Sequence, residues 1–169
     1  ALAAGEVDVA VHSLKDVPTQ LEAAFNLEAV LPREDTRDVL LTTSPCGALK
    51  ALSDKATLAT SSVRRHAQLQ WLRADLQVEE IRGNVPTRLR KLIRNPSLDG
   101  ILLALAGLLR LGYLRVGETE FEFEGQMIYV CPLGPPEFLP ACGQGAIALE
   151  TRSNDGDTHA TLAPINDAD

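Results

Sequence analysis

The chain has 169 residues, 45% hydrophobic, 23% charged and 4% aromatic, with a formal net charge of −7. That length and balance suit one domain or two small ones with a real core, and they exclude a disordered or low-complexity chain. No apolar run reaches the roughly 18 residues of a membrane span, the longest being Gly100 to Leu109, and no secretory signal pattern follows Ala1.

In chain order, strand-like apolar runs alternate with helix-like ones. Val7-Asp8-Val9-Ala10-Val11 sets β-branched residues at alternate positions and predicts a strand, and Pro18 forces extended or turn geometry after Lys15-Asp16-Val17. Thr57–Thr60 predicts a short strand, with Ser61 and Ser62 as caps for a helix from Val63 to about Ala74. Leu76–Ile81 is the next strand and Arg82-Gly83-Asn84 a turn. Pro86 suits the first turn of a helix running to Arg94, with Val85, Leu89 and Leu92 on one face. After Asn95-Pro96-Ser97, a buried strand is expected over Asp99–Leu105 and a short helix over Ala106–Leu111, ended by Gly112. Glu118, Glu120, Glu122 and Glu124 alternate with Thr119, Phe121 and Phe123. This pattern reads as an acidic hairpin or edge excursion whose carboxylates face water. Four prolines (Pro132, Pro135, Pro136, Pro140) mark an irregular connection. Gly143-Gln144-Gly145 then leads into a strand over Ala146–Leu149, and a last helix is expected over Asp157–Ala163. No internal repeat is present. The rhythm argues for an α/β sheet with ligand groups at the C-terminal ends of its strands.

The charge is unevenly spread. Ala56–Gly117 carries ten basic against four acidic residues, net +6, while the remainder carries six against nineteen, net −13. All but Lys91 of the ten are arginines, whose planar guanidinium grips carboxylate or phosphate through two parallel bonds. Arg73, Arg90, Lys91, Arg94 and Arg115 read as solvated helix faces. Cys46, Cys131 and Cys142 are an odd, sparse set without CxxC spacing, and His12, His66 and His159 form no HxxxH or HExxH pair. A disulfide framework and a metal site are therefore not expected, and a reducing compartment is.

Polar residues gather after the predicted strands: His12, Ser13, Lys15 and Asp16 after the first, and Ser61, Ser62, Arg64 and Arg65 after the second. Arg82 follows the third, with Arg88 one turn into the next helix, and Arg110 follows the fourth. With the helix start at Ser62, this is the pattern of a site for a polyanion. Asp16, one carboxylate among cations, is either an acid–base or cation-stabilising group, or an ion pair or cap; His12 reads as structural.

The residues also carry a resemblance. Val11-His12-Ser13-Leu14-Lys15-Asp16-Val17-Pro18 resembles the signature loop of the porphobilinogen deaminase (hydroxymethylbilane synthase) family. Further blocks follow in that family's order: Arg33-Glu34-Asp35-Thr36-Arg37-Asp38, Thr60-Ser61-Ser62-Val63-Arg64-Arg65, Arg82-Gly83-Asn84-Val85-Pro86-Thr87-Arg88-Leu89, and Gly143-Gln144-Gly145-Ala146. Leu103-Ala104-Leu105-Ala106-Gly107-Leu108 with Arg110 fits as well. The resemblance implies a transferase that joins porphobilinogen molecules head to tail, with loss of ammonia, on a covalent dipyrromethane primer. Each pyrrole carries an acetate and a propionate, which suits a bed of arginines, and a buried carboxylate suits the electron-poor azafulvene left when ammonia departs.

By motif position, the resemblance makes Asp16 the catalytic carboxylate. It assigns Ser13, Lys15, Asp16, Ser62, Arg64, Arg65, Arg82 and Gly145 to the cofactor, and Arg64, Arg82, Arg88 and Arg110 to substrate carboxylates; no metal is implied. Asp35 and Arg37 are expected in a structural ion pair. The implied fold class is α/β with periplasmic-binding-protein-like (type II) domains, one complete and one partial. Residues 1–31 and 140–169 fall in the first domain and 32–139 in the second, with the site between them. A third domain and the cofactor-bearing cysteine lie outside the chain, so none of its three cysteines is the attachment point and the fragment alone is expected to be inactive. The acidic stretch from Glu118 to Gln126 is longer than the family's usual connection. A cytoplasmic monomer is expected (plastid if a transit peptide precedes it), with porphobilinogen as small-molecule partner and neither nucleic acid nor membrane. The competing class is a non-enzymatic anion-binding module of periplasmic-binding-protein type, which has no need of the Lys15-Asp16 pair.

Overall fold

The strand predicted over Val7–Val11 forms three residues later in the computed structural model, which describes residues 1–167: β1 is Ala10–Ser13. Val7 and Asp8 are held instead by a side chain, Arg152, whose Nη1 donates to Val7 O at 2.7 Å and whose Nη2 donates to Asp8 Oδ1 at 2.6 Å. His12 and Ser13 therefore belong to the strand. Only Lys15 and Asp16 follow it, on a single 3-10 turn over Leu14–Asp16.

The chain divides into two compact units, Ala1–Asp35 with the segment from Ala141 onward, and Thr36–Pro140. In the first, β9 (Ile147–Arg152) is the middle strand of an antiparallel sheet between β1 and β2 (Phe25–Val30). No strand is predicted at β2, because a bulge between Leu27 and Ala29 breaks the alternation that would announce one. Ala29, Leu149 and Leu162 form its small core, the last contributed by α4 (Gly156–Leu162), which Asp155 caps by accepting from Thr158 N–H.

The second unit is a six-stranded mixed sheet flanked by α1 (Val63–Leu72), α2 (Val85–Arg94) and α3 (Leu105–Arg110). Across the sheet the strands run β5 (Gln77–Glu79), β4 (Thr57–Ala59), β6 (Gly100–Ala104), β3 (Asp38–Thr42), β8 (Gln126–Leu133) and β7 (Glu120–Phe123). β4 is parallel to β5 and β6, whereas β3 is antiparallel to both its neighbours. β3 is also unpredicted. It is buried along its whole length, so Val39-Leu40-Leu41 shows no alternation: Val39 and Leu41 pack with α2 and α3 residues such as Leu89 and Leu108, while Leu40 packs with Leu69 of α1 and Phe138. The acidic hairpin forms as expected, with Phe121 and Phe123 inward and Glu120 and Glu122 outward on the edge strand.

Arg73 corrects one expectation. It is not on a solvated face: it caps α1 and donates to the carbonyls of Leu49, Leu52 and Ser53 and to both carboxylate oxygens of Asp75. Arg90 and Lys91 are likewise engaged, Arg90 Nε donating to Glu124 Oε1 at 2.6 Å and Lys91 Nζ to Arg82 O at 2.9 Å.

Candidate functional site

In the second unit the site residues follow from where the parallel strands end. β4 ends at Ala59; Thr60 is buried and its N–H donates to Glu79 O, and Ser61 Oγ donates to Ile81 O, which lock the turn between strand and helix. Ser62 then caps α1 as predicted, its Oγ accepting from Arg65 N–H at 3.4 Å. The first helical N–H groups, those of Val63 and Arg64, precede any partner within the helix and face the same end as the anion-seeking positive pole.

Arg64 and Arg65 converge on one carboxylate absent from the sequence-based assignment. Asp38, the first residue of β3, is fully buried. Its Oδ1 accepts from Arg65 Nε (3.0 Å) and Nη2 (2.7 Å), and its Oδ2 accepts from Arg64 Nη1 at 2.7 Å. Arg65 Nη1 also donates to Leu102 O, so a residue assigned to the cofactor by motif lies in the core with three of its five N–H donors engaged within the protein. Burial pulls the Arg65 guanidinium below its usual range, Asp38 holds it up, and the nearby charges of Arg64 and Arg88 press it down further. The charges of Arg64 and Arg88 thus both bear on Arg65, and two of these three guanidinium groups, those of Arg64 and Arg65, bind the buried Asp38 carboxylate. The Nε of Arg64 is itself buried, with no hydrogen-bond partner among the described residues.

The other arginines are more open. Arg88 Nε donates to Gly83 O at 2.7 Å, at the start of the helix that Asn84 caps through Thr87 N–H. Arg82 is 80% exposed and pairs with Glu80 at 2.7 Å. Arg110 occupies the last turn of α3 and is exposed. A cavity of about 400 Å³ runs along α2 past Arg90, Lys91 and Arg94, but no predicted site residue lines it.

In the first unit, Ser13, Lys15 and Asp16 are all exposed. Lys15 Nζ donates to Oε1 of the buried Gln144 at 3.3 Å. Asp16, expected as a buried carboxylate, instead lies on the surface of its 3-10 turn, and its side chain makes no hydrogen bond or ion pair among the described residues. The segment Gly143-Gln144-Gly145-Ala146 braces both the signature loop, through Leu14 N–H donating to Ala146 O, and the start of the Arg33–Asp38 block, through Arg33 Nε donating to Gln144 O and Glu34 N–H to Gly145 O. Gly145 has φ +89°, and a Cβ there would stand 2.3 Å from Glu34 O, so its identity has a packing reason whatever it binds. Replacing Gly145 by alanine should cost roughly 2–3 kcal/mol in a urea titration. Gly117→Ala, at φ +91° with open space around it, should cost clearly less. Equal losses would show that backbone conformation alone, without the clash, sets the cost. His12 Nε2 lies 3.0 Å from Glu150 Oε2, in keeping with a structural role.

Among the described residues no group of three or more side chains is arranged to hold a metal ion, and no helix is long and apolar enough to cross a membrane. The family model described as "Porphobilinogen deaminase, dipyromethane cofactor binding domain" matches residues 1–160. The chain belongs to the porphobilinogen deaminase family. It is 43% identical over its whole length to a porphobilinogen deaminase of Syntrophobacter fumaroxidans, covering 50% of that protein, and 49% identical over 99% of its length to one of Nitrobacter winogradskyi, covering 48%. The chain therefore spans about half the length of the curated relatives it matches. Among solved structures it is similar in fold to the BvgS VFT2 domain of Bordetella pertussis (TM-score 0.54, 20% identity, 95% of this chain and 62% of that one). An arginine-transport periplasmic binding protein of Legionella pneumophila gives TM-score 0.53 at 15% identity, over 97% of this chain and 67% of that one. The α/β fold is thus a partial version of the periplasmic-binding-protein type, and the porphobilinogen deaminase family model is named for a dipyrromethane cofactor.

Proposed function

We propose that the chain is the cofactor- and substrate-binding part of a hydroxymethylbilane synthase, which condenses four porphobilinogen molecules head to tail, releasing ammonia, to give linear hydroxymethylbilane. The observation that carries this is the convergence of the Arg64 and Arg65 guanidinium groups on the buried carboxylate of Asp38, with the Nε of Arg64 buried and without a hydrogen-bond partner among the described residues, in a member of this family. A dipyrromethane bears acetate and propionate groups on both rings, and such a donor set fits them. When bound, that group supplies the primer to which the first substrate pyrrole is joined.

The residues divide the work by charge. Arg64 and Arg82 hold carboxylates of cofactor and substrate, Arg88 and Arg110 those of the substrate, and Ser62 adds the open end of α1. Arg65 acts from behind, fixing Asp38 and lending its charge. Lys15 and Ser13 contact cofactor side chains, and Gly145 shapes the turn that supports them. Asp16 accepts a hydrogen bond from the pyrrole N–H and stabilises the positive charge that grows on the substrate as ammonia leaves. Its exposure on the turn leaves it open to a ligand. An anion-binding module without chemistry would need the arginines but no free carboxylate beside Lys15.

The same reading assigns residues 1–31 and 140–169 to one domain and 32–139 to a second, and places the cofactor's cysteine elsewhere in the protein. Of the three present, Cys131 is buried and burial pushes its thiol up, which leaves it a poor nucleophile. A cytoplasmic monomer without nucleic acid completes the reading. The full-length protein, incubated with porphobilinogen, should release ammonia and form hydroxymethylbilane, and its mass should exceed the sequence mass by two pyrrole units. Absence of both product and added mass would overturn the proposal.

A further inference from the structure

Arg64 and Gln68 stand one turn apart on α1 and share an acceptor. Gln68 Nε2 donates to Leu139 O at 3.0 Å while its Oε1 accepts from Leu139 N–H at 2.6 Å, so one amide closes both polar groups of a single loop residue. Arg64 Nη1 donates to the same Leu139 O and, at 2.7 Å, to Asp38 Oδ2. Both anchors of Arg64 therefore fall on one nitrogen. The opposite edge, Nε and Nη2, has no hydrogen-bond partner among the described residues, and its Nε is buried. Of the two, Nη2 is the group left to donate to a carboxylate. Asp38 is fixed by the sheet, but Leu139 lies in a loop with an exposed side chain, and Gln68 is what holds its backbone.

We propose that Gln68 is a positioning residue: by clamping Leu139 it fixes the acceptor that holds Arg64 Nη1, and so aims Nη2 at a pyrrole carboxylate. This rests on the reading of Arg64 as a carboxylate-binding residue. Nothing in the motif spacing marks Gln68; only its two bonds to Leu139 do.

The test uses the full-length protein with Gln68→Ala and Gln68→Glu. Its readouts are the urea midpoint, the split between KM for porphobilinogen and kcat, and the mass-spectrometric occupancy of the two-pyrrole group after the apoprotein is reconstituted with porphobilinogen. Gln68→Ala should raise KM about tenfold with kcat changed less than about threefold, as expected for loss of one charge-assisted placement. The carboxylate in Gln68→Glu lies four residues from Arg64 and competes for its Nη2. It should leave the midpoint unchanged or raised, yet depress occupancy and raise KM further than alanine does. If KM and occupancy stay at wild-type values in both variants, or if losses merely follow the urea midpoint, Gln68 is structural and the inference fails. A wild-type protein that forms no hydroxymethylbilane would instead overturn the functional reading beneath it.

Discussion

Asp38→Ala should destabilise the protein by about 3–5 kcal/mol, among the largest losses any single substitution in the second unit will give. The carboxylate is fully buried and receives two bonds from Arg65 and one from Arg64. Removing it leaves the Arg65 guanidinium in the core beside the like charges of Arg64 and Arg88, with Leu102 O its one remaining acceptor among the described residues. Asp38→Asn keeps an acceptor without the charge and should fall between alanine and wild type. The double variant Asp38→Ala, Arg65→Met removes both buried charges and should be less destabilised than the sum of its parts, a coupling readable from urea midpoints in a double-mutant cycle. Additivity of the two losses, or a cost near zero for Asp38→Ala, would show that the pair is not what holds β3 to α1.

The buried pair also shows where the sequence stops being legible. Elements announced by local chemistry appear where expected: Ser62 before α1, Pro86 in the first turn of α2, and Phe121 and Phe123 alternating with glutamates on β7. β2 and β3 are announced by nothing local. The bulge in β2 shifts its register, and burial on both faces makes β3 a plain apolar run. The same strand explains the missed residue at the site. Asp38 sits in the Arg33–Asp38 block, but Arg64 and Arg65 lie 26 and 27 residues further along the chain, and the placement of β3 beside β6 is what brings Asp38 to them. Arginine composition pointed to a carboxylate-binding region, yet could not say which guanidinium groups the protein uses for itself. Arg73 knits a loop, Arg90 holds the acidic hairpin through Glu124, and Arg65 is sunk into the core. Arg64 differs from these: both anchors of its guanidinium fall on Nη1, and its buried Nε has no hydrogen-bond partner among the described residues.

Asp16→Asn in the full-length protein should lower turnover by about 10²–10³-fold while the urea midpoint moves by less than about 0.5 kcal/mol in stability. The two halves of this expectation rest on separate grounds. Folding is indifferent because the Asp16 side chain is exposed and makes no hydrogen bond or ion pair among the described residues, and the 3-10 turn is closed by Val17 N–H donating to Leu14 O. On the proposed function turnover should not be indifferent, because an amide of the same shape can accept from a pyrrole N–H but cannot offset the positive charge that develops as ammonia leaves. The positive charge that the carboxylate would offset appears on the pyrrole only as ammonia leaves, so kcat should fall with KM changed little. Asp16→Glu restores the charge on a longer arm and should recover part of the rate, since electrostatic stabilisation tolerates a small displacement better than it tolerates neutrality. Ammonia release and hydroxymethylbilane formation should fall together in the asparagine variant, because both follow from the same cationic step. Wild-type kcat in Asp16→Asn would remove Asp16 from the chemistry and leave this loop, with Lys15 bound to Gln144, as a binding element only.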